Sequence, residues 1–94
     1  MKGGNVNEFI DHSAYEEVAV MYEGKKYFFR GLLWDDNTGK YVFEIEYWGD
    51  DITETVYSVS AEFADDCIQR FLSEPIINGK KFWDIENDME WVEW

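Results

Sequence analysis

The chain has little of what covalent chemistry uses. Cys67 is its one cysteine, His12 its one histidine and Pro75 its one proline. A lone cysteine excludes an intramolecular disulfide. Two soft ligands do not make a zinc site. Nucleophilic catalysis needs a nucleophile beside a base and an orienting group, and Cys67 falls on an apolar helical stripe where a buried structural thiol is expected. No glycine-rich phosphate loop is present. No apolar run approaches the length of a membrane span, and the polar stretch Met1–Asn7 is followed by no apolar h-region. Neither a transmembrane segment nor a signal peptide is expected, and a reducing, cytoplasmic setting is. Bases are also scarce: 8 Lys and Arg face 21 Asp and Glu, for a formal net charge of −13. Binding to a phosphate backbone or an anionic membrane needs a basic footprint, so neither is an expected partner. A basic protein is.

Apolar and aromatic residues are plentiful, at 46% and 19%. A disordered segment does not carry so much, so the chain is expected to fold despite its self-repulsion. Its 94 residues suffice for one core, with a radius of gyration of about 12 Å.

The cleanest periodic stretch is Lys40–Trp48, KYVFEIEYW. Tyr41, Phe43, Ile45 and Tyr47 alternate with Val42, Glu44, Glu46 and Trp48, as in a strand with one core face. Two strands precede it, Glu17–Glu23 and Lys26–Trp34. A type II′ turn at Gly24-Lys25 and a three-residue loop at Asn37-Thr38-Gly39 fit the connections. These turns pair Val20 with Phe29, Leu33 with Phe43 and Phe29 with Tyr47. They set Arg30 opposite Glu46 on the second face, with Met21, Phe28, Leu32, Trp34, Val42 and Trp48. A fourth strand is expected over Ile52–Val59, with either Thr55, Tyr57 and Val59 or Ile52 and Val56 facing the core.

Helices are expected on either side of this meander. Asn5 and Glu8 fit a capping box for a short helix within residues 1–14. Ser60 fits the N-cap of a helix to Ser73, with Phe63, Cys67 and Phe71 inward. Asn78-Gly79 marks a turn. Residues 80–94 then read as an acidic helix with Phe82, Ile85, Met89 and Val92 inside. The expected fold is α+β: an antiparallel three- to four-stranded meander over residues 15–59, followed by two helices packed on the sheet, in one domain.

Two features suggest binding. Alternate carboxylates such as Glu44 and Glu46 repeat every ~6.6 Å along a strand. Pairs such as Asp84 with Asp88, or Glu86 with Glu90, repeat at about 6 Å on a helix. Both spacings approach that of successive phosphates. The second feature is an aromatic surplus on the far face, where Trp34 and Trp48 are candidate anchors; Trp91 and Trp94 raise the same question. Asp35–Lys40 with Glu46 fails as a calcium loop, because its turn glycine is misplaced and a strand begins too early. No metal, cofactor or catalytic residue is expected. Glu46 and Glu54 are the acid–base candidates, with solvated strand positions as the simpler account.

In size, acidity and layout the chain resembles small phage-encoded inhibitors of bacterial defence nucleases, including anti-CRISPR proteins of the DNA-mimic type. The resemblance rests on the meander Glu17–Trp48, the helix Ala61–Ser73 and the acidic tail Asp84–Glu93, and no functional residue carries over. It implies a non-enzymatic inhibitor of a nuclease's basic nucleic-acid channel in the bacterial host cytoplasm. Glu44, Glu46, Asp84, Glu86, Asp88 and Glu90 would supply charge, and Trp34 or Trp48 an anchor. The alternatives are an immunity protein against a toxin nuclease and an assembly protein that homodimerises through the aromatic face.

Overall fold

The computed structural model describes residues 1–93; Trp94, with the last position of the expected helix, lies outside them. The elements run α1 (Val6–Tyr15), β1 (Val18–Tyr22), β2 (Lys25–Asp35), β3 (Lys40–Trp48), β4 (Thr53–Ala61), α2 (Ala64–Ser73), β5 (Pro75–Ile77), β6 (Lys80–Lys81), α3 (Phe82–Ile85), a 3-10 turn (Glu86–Asp88) and β7 (Glu90–Val92). The fold is α+β. Five strands form an antiparallel sheet in the order β4-β3-β2-β1-β7, and β5 and β6 form a separate small hairpin.

Local chemistry accounts for the first elements. Asn5 caps α1, its side-chain oxygen accepting the Asn7 and Glu8 N–H groups at 2.9 and 3.1 Å. The first hairpin turns at Glu23-Gly24 rather than at Gly24-Lys25. Both residues take positive φ, 51° and 74°, as a type I′ turn requires. Tyr22 therefore pairs with Lys25, Val20 with Tyr27 and Val18 with Phe29. This shifts the expected register by an even number of residues, so every side chain in β1 keeps its expected face.

The second hairpin changes more. Asp35 pairs with Lys40, and the Gly39 N–H closes the loop onto the Asp35 carbonyl at 2.9 Å. Farther down, Phe29 pairs with Ile45 but Leu32 pairs with Phe43, so Arg30 and Gly31 form a bulge opposite Glu44. Gly31 has a φ of 82°, which a β-carbon opposes. The bulge inverts the alternation beyond it. Leu32 joins the core side, and Leu33 turns to the other face beside Val42. Trp34 also changes side and packs on Tyr41, ring centroids 5.0 Å apart. The expected placement of Leu32, Leu33 and Trp34 is thus reversed.

A second bulge at Val56 resolves the face of β4. Tyr57 and Val59 pair with Ile45 and Phe43 on the core side, while Thr55 pairs with Glu46 on the other. Ser60, expected to cap α2, instead lies in β4 opposite Val42. Backbone pairing to a long β3 outcompetes one cap bond. The helix starts later, at Ala64, and Phe63 precedes it as an exposed residue with no side-chain cap. Tyr57 ties β4 to α2 by donating to Glu74 at 2.6 Å, where Arg70 also donates at 3.0 Å. These two bonds hold the Glu74 carboxyl below its usual range, and burial with the Glu74 bond pushes the Tyr57 hydroxyl up.

The expected helix over residues 80–94 does not form. Phe82, Ile85 and Met89 are buried as expected, but one helical turn and a 3-10 turn suffice to place them. Met89 and Trp91 then follow a period of two, and β7 pairs with β1 through Ala19–Val92 and Met21–Glu90. Lys2 runs alongside β7, donating to the Met89 carbonyl at 2.9 Å and accepting from Trp91 N–H at 2.8 Å.

All three helices send their buried side chains into one core with Val18, Val20, Phe29, Phe43 and Ile45. Its centre is a ring cluster. Phe43 stacks on Phe71 at 4.6 Å, and Phe9 and Phe82 approach Phe29 at 5.1 and 6.4 Å. Phe71→Ala should lower stability by about 3–5 kcal/mol, read as an earlier urea midpoint. A change under about 1 kcal/mol would contradict this packing.

Candidate functional site

Because the helices share one side of the sheet, the other face carries no helix among the described residues. Its composition follows from the registers above. Ala19 and Met21 come from β1, Lys26, Phe28, Arg30 and Leu33 from β2, and Val42, Glu44, Glu46 and Trp48 from β3. β4 adds a row of hydroxyls, Thr53, Thr55, Ser58 and Ser60. β7 adds Glu90 and Val92.

The middle of this face is dense. Phe28 is buried, with the Trp48 ring 4.8 Å from it and the Lys26 ammonium 5.4 Å from its centroid. Glu46 is only 8% exposed. A buried carboxylate needs a partner, and Arg30 supplies it: Nη1 donates to Glu46 while Nε donates to Glu17 at 2.6 Å. Arg30 sits diagonal to Glu46 rather than opposite it, because Phe28 takes the opposite position. The Glu46 hydrogen bond, with that of Glu17, pushes the Arg30 guanidinium further above its already high value. Toward the margins the face opens. Trp48 and Leu33 are about half exposed, at 48% and 47%, Glu44 is half-buried and Glu90 exposed.

Of the expected binding residues, the structure gathers Glu44, Glu46 and Trp48 here, with Glu90 on the same face at the opposite, β7 edge. Glu46 is committed to Arg30 and adds little free charge. Trp34 belongs to the helix side, at the hairpin end, where its Nε1 donates to Asp36 at 2.8 Å. Asp84 and Asp88 are exposed in the helix layer. Glu86 is buried against the Met1 ammonium at 2.9 Å. The expected helical rows, Asp84 with Asp88 and Glu86 with Glu90, do not exist because the helix does not.

Three features escape the sequence reading. Leu33 reaches this face only through the Gly31 bulge. Glu17, the second partner of Arg30, lies just ahead of β1, with β1 and β2 between it and the strand of Glu46. The hydroxyl row of β4 is written in the alternation of Thr53 with Thr55 and Ser58 with Ser60, interrupted by the Val56 bulge.

A concavity lies elsewhere, at the β7 edge. About 480 Å³ is lined by His12, Glu16, Glu17, Trp91 and Glu93 among others. His12 Nδ1 and Glu16 Oε1 are 2.6 Å apart, and the His12 ring stands edge-on to Trp91 at 5.3 Å. Cys67 is remote from these residues, fully buried on α2, with Sγ 3.5 Å from the Tyr41 carbonyl. Burial raises its thiol pKa, the reverse of nucleophile activation. Among the described residues no group of three or more His, Cys, Asp or Glu is placed to hold a metal ion, and no helix is long and apolar enough to cross a membrane. Comparison with known proteins finds no matching family model, no matching curated protein and no matching solved structure.

The Arg30 contact has a measurable consequence. Arg30→Met should cost about 2 kcal/mol in urea unfolding, because Glu46 loses its partner while buried. The double variant Arg30→Met/Glu46→Met should recover most of that loss. Equal destabilisation by the single and double variants would show that the pair does not carry the effect.

Proposed function

We propose that this protein is a non-enzymatic inhibitor that lays the open face of its sheet against the basic nucleic-acid-binding surface of a nuclease, in the cytoplasm of a bacterial host. One observation carries the reading: an apolar, aromatic-centred face with free carboxylates at its margin, on a chain with 8 bases against 21 acids. Arg30 and Arg70 are ion-paired, and Lys25 and Lys26 stand over the Tyr47 and Phe28 rings. A net charge of −13 is left to the surface. Complementary charge speeds encounter and rejects acidic partners, and a half-exposed Trp48 offers an anchor of the kind that dominates protein interfaces. An immunity protein against a toxin nuclease rests on the same physics, and a toxin gene alongside would distinguish it.

An assembly protein that pairs this face with a second copy is the competing reading. Exposed Leu33 and Trp48 favour it, and like charge on both copies opposes it. A monomer in sedimentation at high concentration would exclude it.

Titration against nucleases with basic clefts tests the proposal. Inhibition should weaken steeply as salt rises. Glu44→Lys/Glu90→Lys should weaken it by about tenfold, and Trp48→Ala by a similar factor. Unchanged inhibition and salt dependence in the charge variant would overturn it.

A further inference from the structure

The two edges of the sheet are treated differently. The β7 edge is sealed by the Lys2 hydrogen bonds at 2.9 and 2.8 Å. Gly3 lies so close beneath that a β-carbon there would come within 2.6 Å of the Trp91 carbonyl oxygen. Although β5 lies near β4, the β4 edge has no strand hydrogen-bonded to its outer side among the described residues. Its nine residues pair with β3 alone. Among the described residues no other backbone group bonds to residues 53–59. Beyond residue 59 the strand end is met from α2: Arg70 Nη1 donates to the Ser60 carbonyl at 3.4 Å, and the Cys67 thiol hydrogen-bonds the Ala61 backbone.

Natural sheets blunt such an edge with lysine, proline, bulges or a covering element. β4, TETVYSVSA, has neither lysine nor proline. It is rich in Thr, Val and Tyr, which suit strand pairing. Its one device is the Val56 bulge, which splits the edge into two short runs and narrows what can pair there. Charge supplies the rest of the selection. Asp50, Asp51 and Glu54 stand at one end of the strand, and Glu62, Asp65 and Asp66 at the other. Arg70, the base that reaches this edge, is taken by Glu74. An acidic strand is repelled, a second copy of this edge included, and a basic one is attracted.

We infer that the β4 edge, residues 53–59, accepts an extended, lysine- or arginine-bearing segment of the partner as an added strand. Main-chain hydrogen bonds supply affinity and the flanking carboxylates supply selection. The inference rests on the reading of the partner as basic and extends it. The open face and the new strand would then form one continuous surface.

The test uses the whole protein and three short peptides: one alternating lysine and valine, the same sequence fully N-methylated, and one with glutamate for lysine. The lysine peptide should bind and slow amide hydrogen exchange within residues 53–59. The N-methylated peptide keeps the charge but has no main-chain donors, and should bind at least about tenfold more weakly. The glutamate peptide should not bind. Equal binding of the first two would overturn strand addition while leaving the basic-partner reading intact. No binding by the lysine peptide, or protection elsewhere, would also overturn it. Dimerisation without peptide that protects the same amides would replace the basic segment with a second copy.

Discussion

The open face depends on how one guanidinium is shared. Arg30 reaches Glu17 and Glu46 at once, and without it Glu46 would stand as a buried charge between Phe28 and Trp48. The bulge at Gly31 makes this geometry available. Arg30 and Gly31 together occupy the place opposite Glu44, which lets Arg30 lean toward Glu46 while Phe29 and Leu32 both face the core. Gly31 also lies against the backbone of Glu16, where a β-carbon would come within 3.2 Å. The link from α1 into β1 is thus seated on the same bulge.

The chain holds few other cations to soften the acidic surface. Arg70 serves Glu74, and Lys80 lies 3.9 Å from Glu23. Exposed pairs of this kind contribute little to stability, so their chief effect is on where charge remains. The chain tolerates its self-repulsion because the ring cluster beneath the sheet is deep and fully buried. The helix side buries the apolar core, and its outer surface also carries exposed acids, among them Asp65, Asp66, Asp84 and Asp88.

Much of the fold is legible in the sequence. Alternation over Lys40–Trp48 places Phe43 and Ile45 in the core and Glu44, Glu46 and Trp48 opposite, as found. Asn5 and Asn78-Gly79 mark the cap and the turn where they occur. The errors have local causes. Gly31 reads as an ordinary strand residue, although an isolated glycine within a strand pattern is the mark of a bulge. Missing it reverses Leu32, Leu33 and Trp34. Phe82, Ile85 and Met89 satisfy a helical spacing that one short turn also satisfies, and brief apolar runs do not distinguish the two. Of the candidate site, Glu44, Glu46 and Trp48 could be read from the strand itself. The Arg30–Glu46 contact is also legible from the pairing of β2 with β3, whereas Glu17 as the second partner of Arg30 is not, because it lies ahead of β1 in the link from α1.

The central claim is that the helix-free face, not the helix layer, meets a basic partner. Two-dimensional amide and indole spectra of the labelled protein, recorded while a basic nuclease is added, test it most directly. The account predicts shifts or broadening at the Trp48 indole and at Leu33, Val42 and Glu44, with Asp84 and Asp88 unaffected. Perturbation confined to the helix layer, with the Trp48 indole unchanged at saturation, would contradict it.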